Sequence, residues 1–260
     1  MLNNDDKPLI LVTNDDGITS KGIEVLVNVA AKIGHVVVVA PDSPQSGMGH
    51  AITIFEPLRL RKSSIFGHIE AYECSGTPAD CVKIAKNYVL KNRNIDIVLS
   101  GVNHGSNSSI SVIYSGTMSA AIEAAIECIP AIGFSLCDYG ENAEFAHTHT
   151  YIEHIILQTL TNKLPKHTAL NVNLPPQSQM PIKGIKICRQ ALAKFQEEYE
   201  KRTDPYGRDY FWTTGDLVNN DTGTDTDEWA LANGFVSIVP CMFDLTSDTA
   251  AEYLQKNWKW

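Results

Sequence analysis

The chain has 260 residues, 43% of them hydrophobic and 20% charged, with a formal net charge of −9 at pH 7. This length and balance fit one large α/β domain with a real core. The acidic excess argues against a nucleic-acid polymer or an anionic membrane as partner, since both are bound by basic surface. It leaves room for a small phosphorylated ligand held locally.

In chain order, Leu9–Asn14 is a continuous apolar run that predicts a buried strand, and Gly22–Ile33 places Ile23, Leu26, Ala30 and Ile33 on one helical face. Val36–Ala40 is a short β-branched strand closed by Pro41, and Ala51–Leu60 and Ile69–Cys74 alternate like extended segments. Ala79–Leu90 is helical, Ile95–Ser100 a strand, Ser115–Glu127 an Ala-rich helix and Ala131–Ser135 a strand. Strands separated by helices in this way predict a doubly wound, mostly parallel sheet. The second half is less regular. Phe145–Leu160 reads as helix, Ala169–Leu174 and Ile182–Cys188 as strands, and Gln196–Arg208 as charged and exposed. Tyr210-Phe211-Trp212 is strand-like, Asn219–Asp227 a polar loop, Phe235–Val239 a strand and Thr249–Trp260 a helix. No linker divides the chain, so the expectation is a single unit over 1–260, with a core at about 8–175 and an appendage at about 176–260.

The six cysteines, Cys74, Cys81, Cys128, Cys137, Cys188 and Cys241, are scattered without a C-x-x-C pair. Neither a zinc ribbon nor a thioredoxin-type site is signalled. No secretory signal is visible at Met1–Pro8, and no apolar stretch is long enough to span a bilayer. A soluble cytoplasmic protein is expected.

The chemistry begins where the first strand delivers Asn14, Asp15 and Asp16 into Gly17. Adjacent carboxylates that converge repel unless a cation neutralises them. The pair therefore reads either as a metal site or as a solvated turn ahead of a helix cap, and this segment alone leaves both open. In open parallel sheets, ligands bind beyond the carboxyl ends of the strands. The next strands deliver Asp42-Ser43-Pro44-Gln45-Ser46-Gly47-Met48-Gly49 and Ser100-Gly101-Val102-Asn103-His104-Gly105-Ser106-Asn107 to that same edge. All three loops are rich in oxygen ligands and glycine, which favours the metal reading. Such a hard oxygen set suits Mg²⁺, Mn²⁺ or Ca²⁺ rather than zinc. Ser115, Gly116 and Thr117 open the Ala-rich helix, where free N–H groups and hydroxyls can receive an anion. Capping alone would also account for Ser115 or Thr117. Beside an acid pair, phosphate binding is the more economical reading.

No G-x-G-x-x-G follows the first strand, and neither a P-loop nor a G-x-S-x-G elbow occurs. Haloacid-dehalogenase-type phosphatases share this entry strand but space their acids two residues apart.

Asn14-Asp15-Asp16-Gly17, Ala40-Pro41-Asp42 with Gln45-Ser46-Gly47, Gly76-Thr77-Pro78-Ala79-Asp80-Cys81, Ser100–Asn107 and Tyr114-Ser115-Gly116-Thr117 together resemble the signatures of the SurE family. These are stationary-phase survival 5'-nucleotidases. Downstream, Asp204-Pro205-Tyr206-Gly207-Arg208, Gly223-Thr224-Asp225 and Gly234–Pro240 also match, so the resemblance covers essentially the whole chain. It implies a Rossmann-like fold with a β-hairpin near Ala51–Leu60 and a C-terminal portion that reaches a neighbouring subunit in a homodimer or homotetramer. Asn257-Trp258-Lys259-Trp260 fits such a docking tail.

The activity implied is hydrolysis of nucleoside monophosphates, extending in some members to polyphosphate, with 3'-nucleotides as further possible substrates. One divalent cation per subunit, Mg²⁺ or Mn²⁺, would be held by Asp15, Asp16, Ser46 and Asn103. Asn107, Ser115, Gly116 and Thr117 would cradle the phosphate, with Asn14 and Gly47 beside it. Asp15, Asp16 and Asn103 would carry the catalysis. Cys241-Met242-Phe243 and Gln190–Lys201 depart from the family pattern and bear on substrate preference. The alternative is a non-catalytic nucleotide or phosphate sensor on the same fold.

Overall fold

The apolar run near the start forms strand β1 (Leu9–Thr13), and its side chains alternate between two separate cores. Ile10 and Val12 pack on one side of the sheet, Leu9 and Leu11 on the other. Burial on both faces explains why such strands read as unbroken apolar runs. In this computed structural model, which describes residues 7–140, 142–179 and 181–259, the same holds for β5 (Ile97–His104), β6 (Ala131–Leu136) and β7 (Thr168–Leu174).

Helices α1 (Lys21–Ile33) and α5 (His149–Asn162) cover the Ile10 face, and α2 (Pro78–Ile84) and α4 (Gly116–Ile126), which follows the single turn α3 (Ser111–Tyr114), cover the Leu11 face. With β2 (His35–Pro41), β3 (Leu60–Ser63), β4 (Glu70–Cys74), β8 (Ile185–Ile187) and β11 (Val236–Met242), the strands form one nine-stranded sheet. Its order is β3-β4-β2-β1-β5-β6-β7-β11-β8. The run from β4 to β7 is parallel, β3 is antiparallel to β4, and β11 is antiparallel to β7. The doubly wound α/β expectation therefore holds. From β1 the chain winds outward through β2 and β4, then returns to β5 and winds the other way. The switch point lies between the carboxyl ends of β1 and β5, where such sheets bind ligands.

Two details differ from the expectations. Residues 51–59 form no strand, and the hairpin expected near them begins only at Leu60, where β3 turns back against β4. The 51–59 segment is held instead by Asp80, whose carboxylate accepts from Thr53 N at 3.0 Å and Thr53 Oγ1 at 2.6 Å. A second and longer hairpin is formed by β9 (Ala193–Thr203) and β10 (Asp209–Asn219), 11 residues each, paired in a separate two-stranded sheet. Asp204 shapes its turn, accepting from Tyr206 N at 2.8 Å and Arg208 N at 3.0 Å. A short helix α6 (Asp227–Ala232) closes the end of the predicted polar loop. Helix α7 (Asp248–Asn257) follows β11 and buries none of its residues. Trp260 lies outside the described residues.

Candidate active site

Thr13 of β1 pairs with Ser100 of β5, so the residues just beyond both strands share one corner of the sheet. Gly17 turns the chain there at φ +91°, a conformation that L side chains rarely adopt. The turn places Asp15 against the start of α4. Thr117 Oγ1 donates to Asp15 Oδ1 at 2.5 Å. A Cβ on Gly116 would stand 2.7 Å from Asp15 Cβ, so only glycine lets helix and acid approach this closely. Asp15 O in turn accepts from Gln45 N at 2.7 Å, which ties the loop after β2 to the same corner.

Burial pushes the Asp15 carboxyl up to about 6. The Thr117 hydrogen bond opposes that shift and the neighbouring Asp16 charge adds to it. Burial also raises Asp16, against the pull of the His104 N–H, which donates to Asp16 Oδ2 at 3.2 Å. Two desolvated acids side by side are what a bound cation would stabilise. Asn14, fully buried, donates through Nδ2 to Gly17 O and Ser20 Oγ, both at 2.9 Å, while its Oδ1 has no partner among the described residues. Asn103 Nδ2 donates to Gly105 O at 2.8 Å, which leaves the amide oxygen as its remaining acceptor. No group of three or more His, Cys, Asp or Glu side chains gathers among the described residues. The donor set is thus two carboxylates with amide oxygens. It fits a hard divalent cation and not zinc.

The start of α4, which touches Asp15, supplies candidate phosphate contacts. Ser115 caps α4, accepting from Met118 N at 3.0 Å, and keeps its hydroxyl proton to donate. The N–H groups of Ser115, Gly116 and Thr117 have no intrahelical carbonyl to bond. The Thr117 hydroxyl proton is engaged by Asp15, so Thr117 offers an anion its backbone only. Asn107 is buried, with its side-chain amide on Ser135 Oγ at 2.8 Å. Ser46 and Gly47 sit on the exposed turn after β2, next to Gln45. The structure therefore brings Asp15, Asp16, Gly116 and Thr117 into one corner, with Asn103 beside it, and leaves Ser46 on the rim. Asp16 opens on a cavity of about 210 Å³ that Lys21 and His104 also line. A larger groove of about 610 Å³ begins at Ser115 and follows α4 past Ile122 and Ile126 to Phe243.

Sequence reading missed the supports of this corner. Asp227, fully buried, accepts backbone N–H groups from Ser109 at 2.8 Å, Ala191 at 2.9 Å and Glu228 at 2.8 Å. It joins the loop after β5 to the start of β9. Glu228 Oε1 accepts from Ser108 Oγ at 2.5 Å. A signal was present for another support: Asn171 and Asn173 interrupt an apolar strand at alternate positions, so both side chains share one face.

A family profile described as Survival protein SurE matches residues 10–197. A protein of Cytophaga hutchinsonii named 5'-nucleotidase SurE is 62% identical over 97% of this chain and 98% of its own length. One of the same name from Bacteroides fragilis is 41% identical over 97% and 98%. The crystal structure of the SurE protein from Aquifex aeolicus superposes with a TM-score of 0.80 at 39% identity, covering 95% of this chain and 100% of that one.

Proposed function

The chain belongs to the SurE family, and from that premise we propose that it is a metal-dependent 5'-nucleotidase that hydrolyses nucleoside monophosphates to nucleoside and phosphate. The observation that carries this reading is the contact of Asp15 with Gly116 and Thr117, which sets an acid pair against a helix start.

Asp15, Asp16, Ser46 and Asn103 would hold one Mg²⁺ or Mn²⁺ per subunit. When bound, that cation neutralises phosphoryl oxygens and lowers the barrier to attack by water. The chain's own groups do the rest. The Ser115 hydroxyl and the N–H groups at the start of α4 receive the phosphoryl oxygens, and the helix dipole favours their growing charge. Thr117 holds Asp15 in one rotamer, so the carboxylate needs no reorganisation during the reaction. Asn107 contributes a further amide donor, and Asn14 steadies the turn that carries both acids.

Phosphate release from a panel of nucleoside 5'- and 3'-monophosphates and polyphosphate, with Mg²⁺, with Mn²⁺ and with EDTA, tests the reading. Release that needs metal and stops with EDTA is expected, with 3'-nucleotides and polyphosphate as slower substrates. Nucleotide binding without release under any metal would instead identify a sensor.

Two further parts belong to the same proposal. A homodimer or homotetramer is supported by α7, which buries nothing, and by Leu245, Tyr206, Phe211 and Trp212, all more than half exposed. A cytoplasmic location is supported by six cysteines that are all free thiols.

A further inference from the structure

Asn171 and Asn173 on β7 are 1% and 0% exposed, and Ser135 on the neighbouring β6 is 0% exposed. Polar groups buried this deeply are costly unless each finds a partner. Here the partners converge on one residue. The Asn107 N–H donates to Asn173 Oδ1, the Asn107 carbonyl accepts from Asn171 Nδ2, and the Asn107 side-chain Nδ2 donates to Ser135 Oγ, each at 2.8 Å. Asn173 Nδ2 closes the ring by donating to Asn171 Oδ1 at 3.0 Å.

The polarity of this ring is set by its two backbone members. A peptide N–H can only donate and a peptide carbonyl can only accept. Asn173 must therefore present its oxygen to Asn107, and Asn171 must present its nitrogen. Their mutual bond satisfies the two remaining ends. Turning either amide over would set donor against donor or acceptor against acceptor. Asn107 thus has its backbone held on both sides and one side-chain N–H engaged. A single N–H, the second on Nδ2, is left to donate.

We infer that Ser135, Asn171 and Asn173 are positioning residues for the phosphate site, holding Asn107 so that its one remaining N–H meets the phosphoryl group. This rests on the proposed function, in which Asn107 is a phosphate contact. A fixed donor costs no reorganisation when charge develops, so the three side chains act on turnover without touching substrate.

A double-mutant cycle tests this, with the nucleoside 5'-monophosphate that wild type hydrolyses fastest as substrate and inorganic phosphate as competitive inhibitor. Asn173→Ala is expected to lower kcat/KM on the order of ten- to a hundredfold, as loss of a supporting shell does elsewhere, and to weaken phosphate inhibition in parallel. In an Asn107→Ala background the same change is expected to cost less than about twofold, because the group it positions is already gone. Equal losses in both backgrounds, or wild-type kinetics from folded Asn173→Ala, would overturn the inference. Should Asn173→Ala fail to fold by circular dichroism, Ser135→Ala, which removes only the side-chain anchor, is read through the same cycle against the same criteria. If wild type binds phosphate but hydrolyses nothing, the hydrolytic reading fails alone, and the cycle is then read on phosphate affinity.

Discussion

The corner joining β1, β5 and α4 and the β9–β10 ribbon differ in what holds them. Around Asp15 and Asn107, buried side chains from β6, β7 and α6 bond the loops directly, so backbone and acids have little freedom. The ribbon has its own ladder and little else: of β9 only Ala193 is buried, and of β10 no residue. An isolated two-stranded hairpin is marginal in water, and this one also exposes Phe195, Tyr199, Phe211 and Trp212. The difference separates two tasks. The rigid corner suits chemistry that needs fixed geometry, and the ribbon suits a surface that is completed by a partner.

The contrast is broken most directly at the acids. Asp15→Asn and Asp16→Asn are expected to lower kcat by about a thousandfold or more with divalent metal present. Their melting temperatures should hold or rise, since each removes one of two crowded buried charges. Near-wild-type kcat in either variant would remove the acid pair from the mechanism. Gly116→Ala comes next. Its Cβ would meet Asp15 at 2.7 Å, so a loss of about 1–3 kcal/mol in urea unfolding and a clear fall in kcat are expected together. Asp227→Ala leaves two buried N–H groups and one half-buried one without an acceptor and should cost about 2–4 kcal/mol, with turnover per folded molecule less affected.

On the ribbon, Phe211→Ser with Trp212→Ser should change the unfolding free energy of the subunit by less than about 0.5 kcal/mol while shifting the mass seen by light scattering towards monomer. A large loss of subunit stability with unchanged mass would show that the ribbon is structural after all.

The smallest effect concerns Glu123. Burial would raise its carboxyl, but hydrogen bonds from His50 at 2.9 Å and Lys83 at 2.5 Å outweigh that and hold it below the ordinary carboxylate range. A lowered carboxyl contributes stability at neutral pH that is lost as pH falls through its folded value. The melting temperature of wild type should therefore drop more steeply than that of Glu123→Gln below about pH 4.

Much of the central sheet was legible because its strands are buried on both faces, which forces continuous apolar runs. Asp15 and Asp16 stood out for the same reason: charges at the end of such a run need an explanation. The ribbon was not legible as a pair. Both of its faces meet solvent, so Glu197, Glu198, Glu200, Lys201 and Arg202 carry no inside-outside pattern to read. Ala51–Leu60 misled in the opposite direction. It alternates like a strand, yet Ile52 and Ile54 are 46% and 70% exposed, and only its last residue, Leu60, enters a strand pair. Asn107 could be found from its motif, but its three anchors lie on strands far along the chain, and only the folded sheet brings them together.

The order of these parts along the chain has a consequence for synthesis. The acids, the amides and the helix start all occur between Asn14 and Thr117, whereas the braces that hold them occur between Ser135 and Glu228. A nascent chain emerging from the ribosome therefore displays its reactive groups long before it can fix them in place. Competence arrives late, as translation supplies β7 and then α6, so a truncated product would carry the chemistry without the frame.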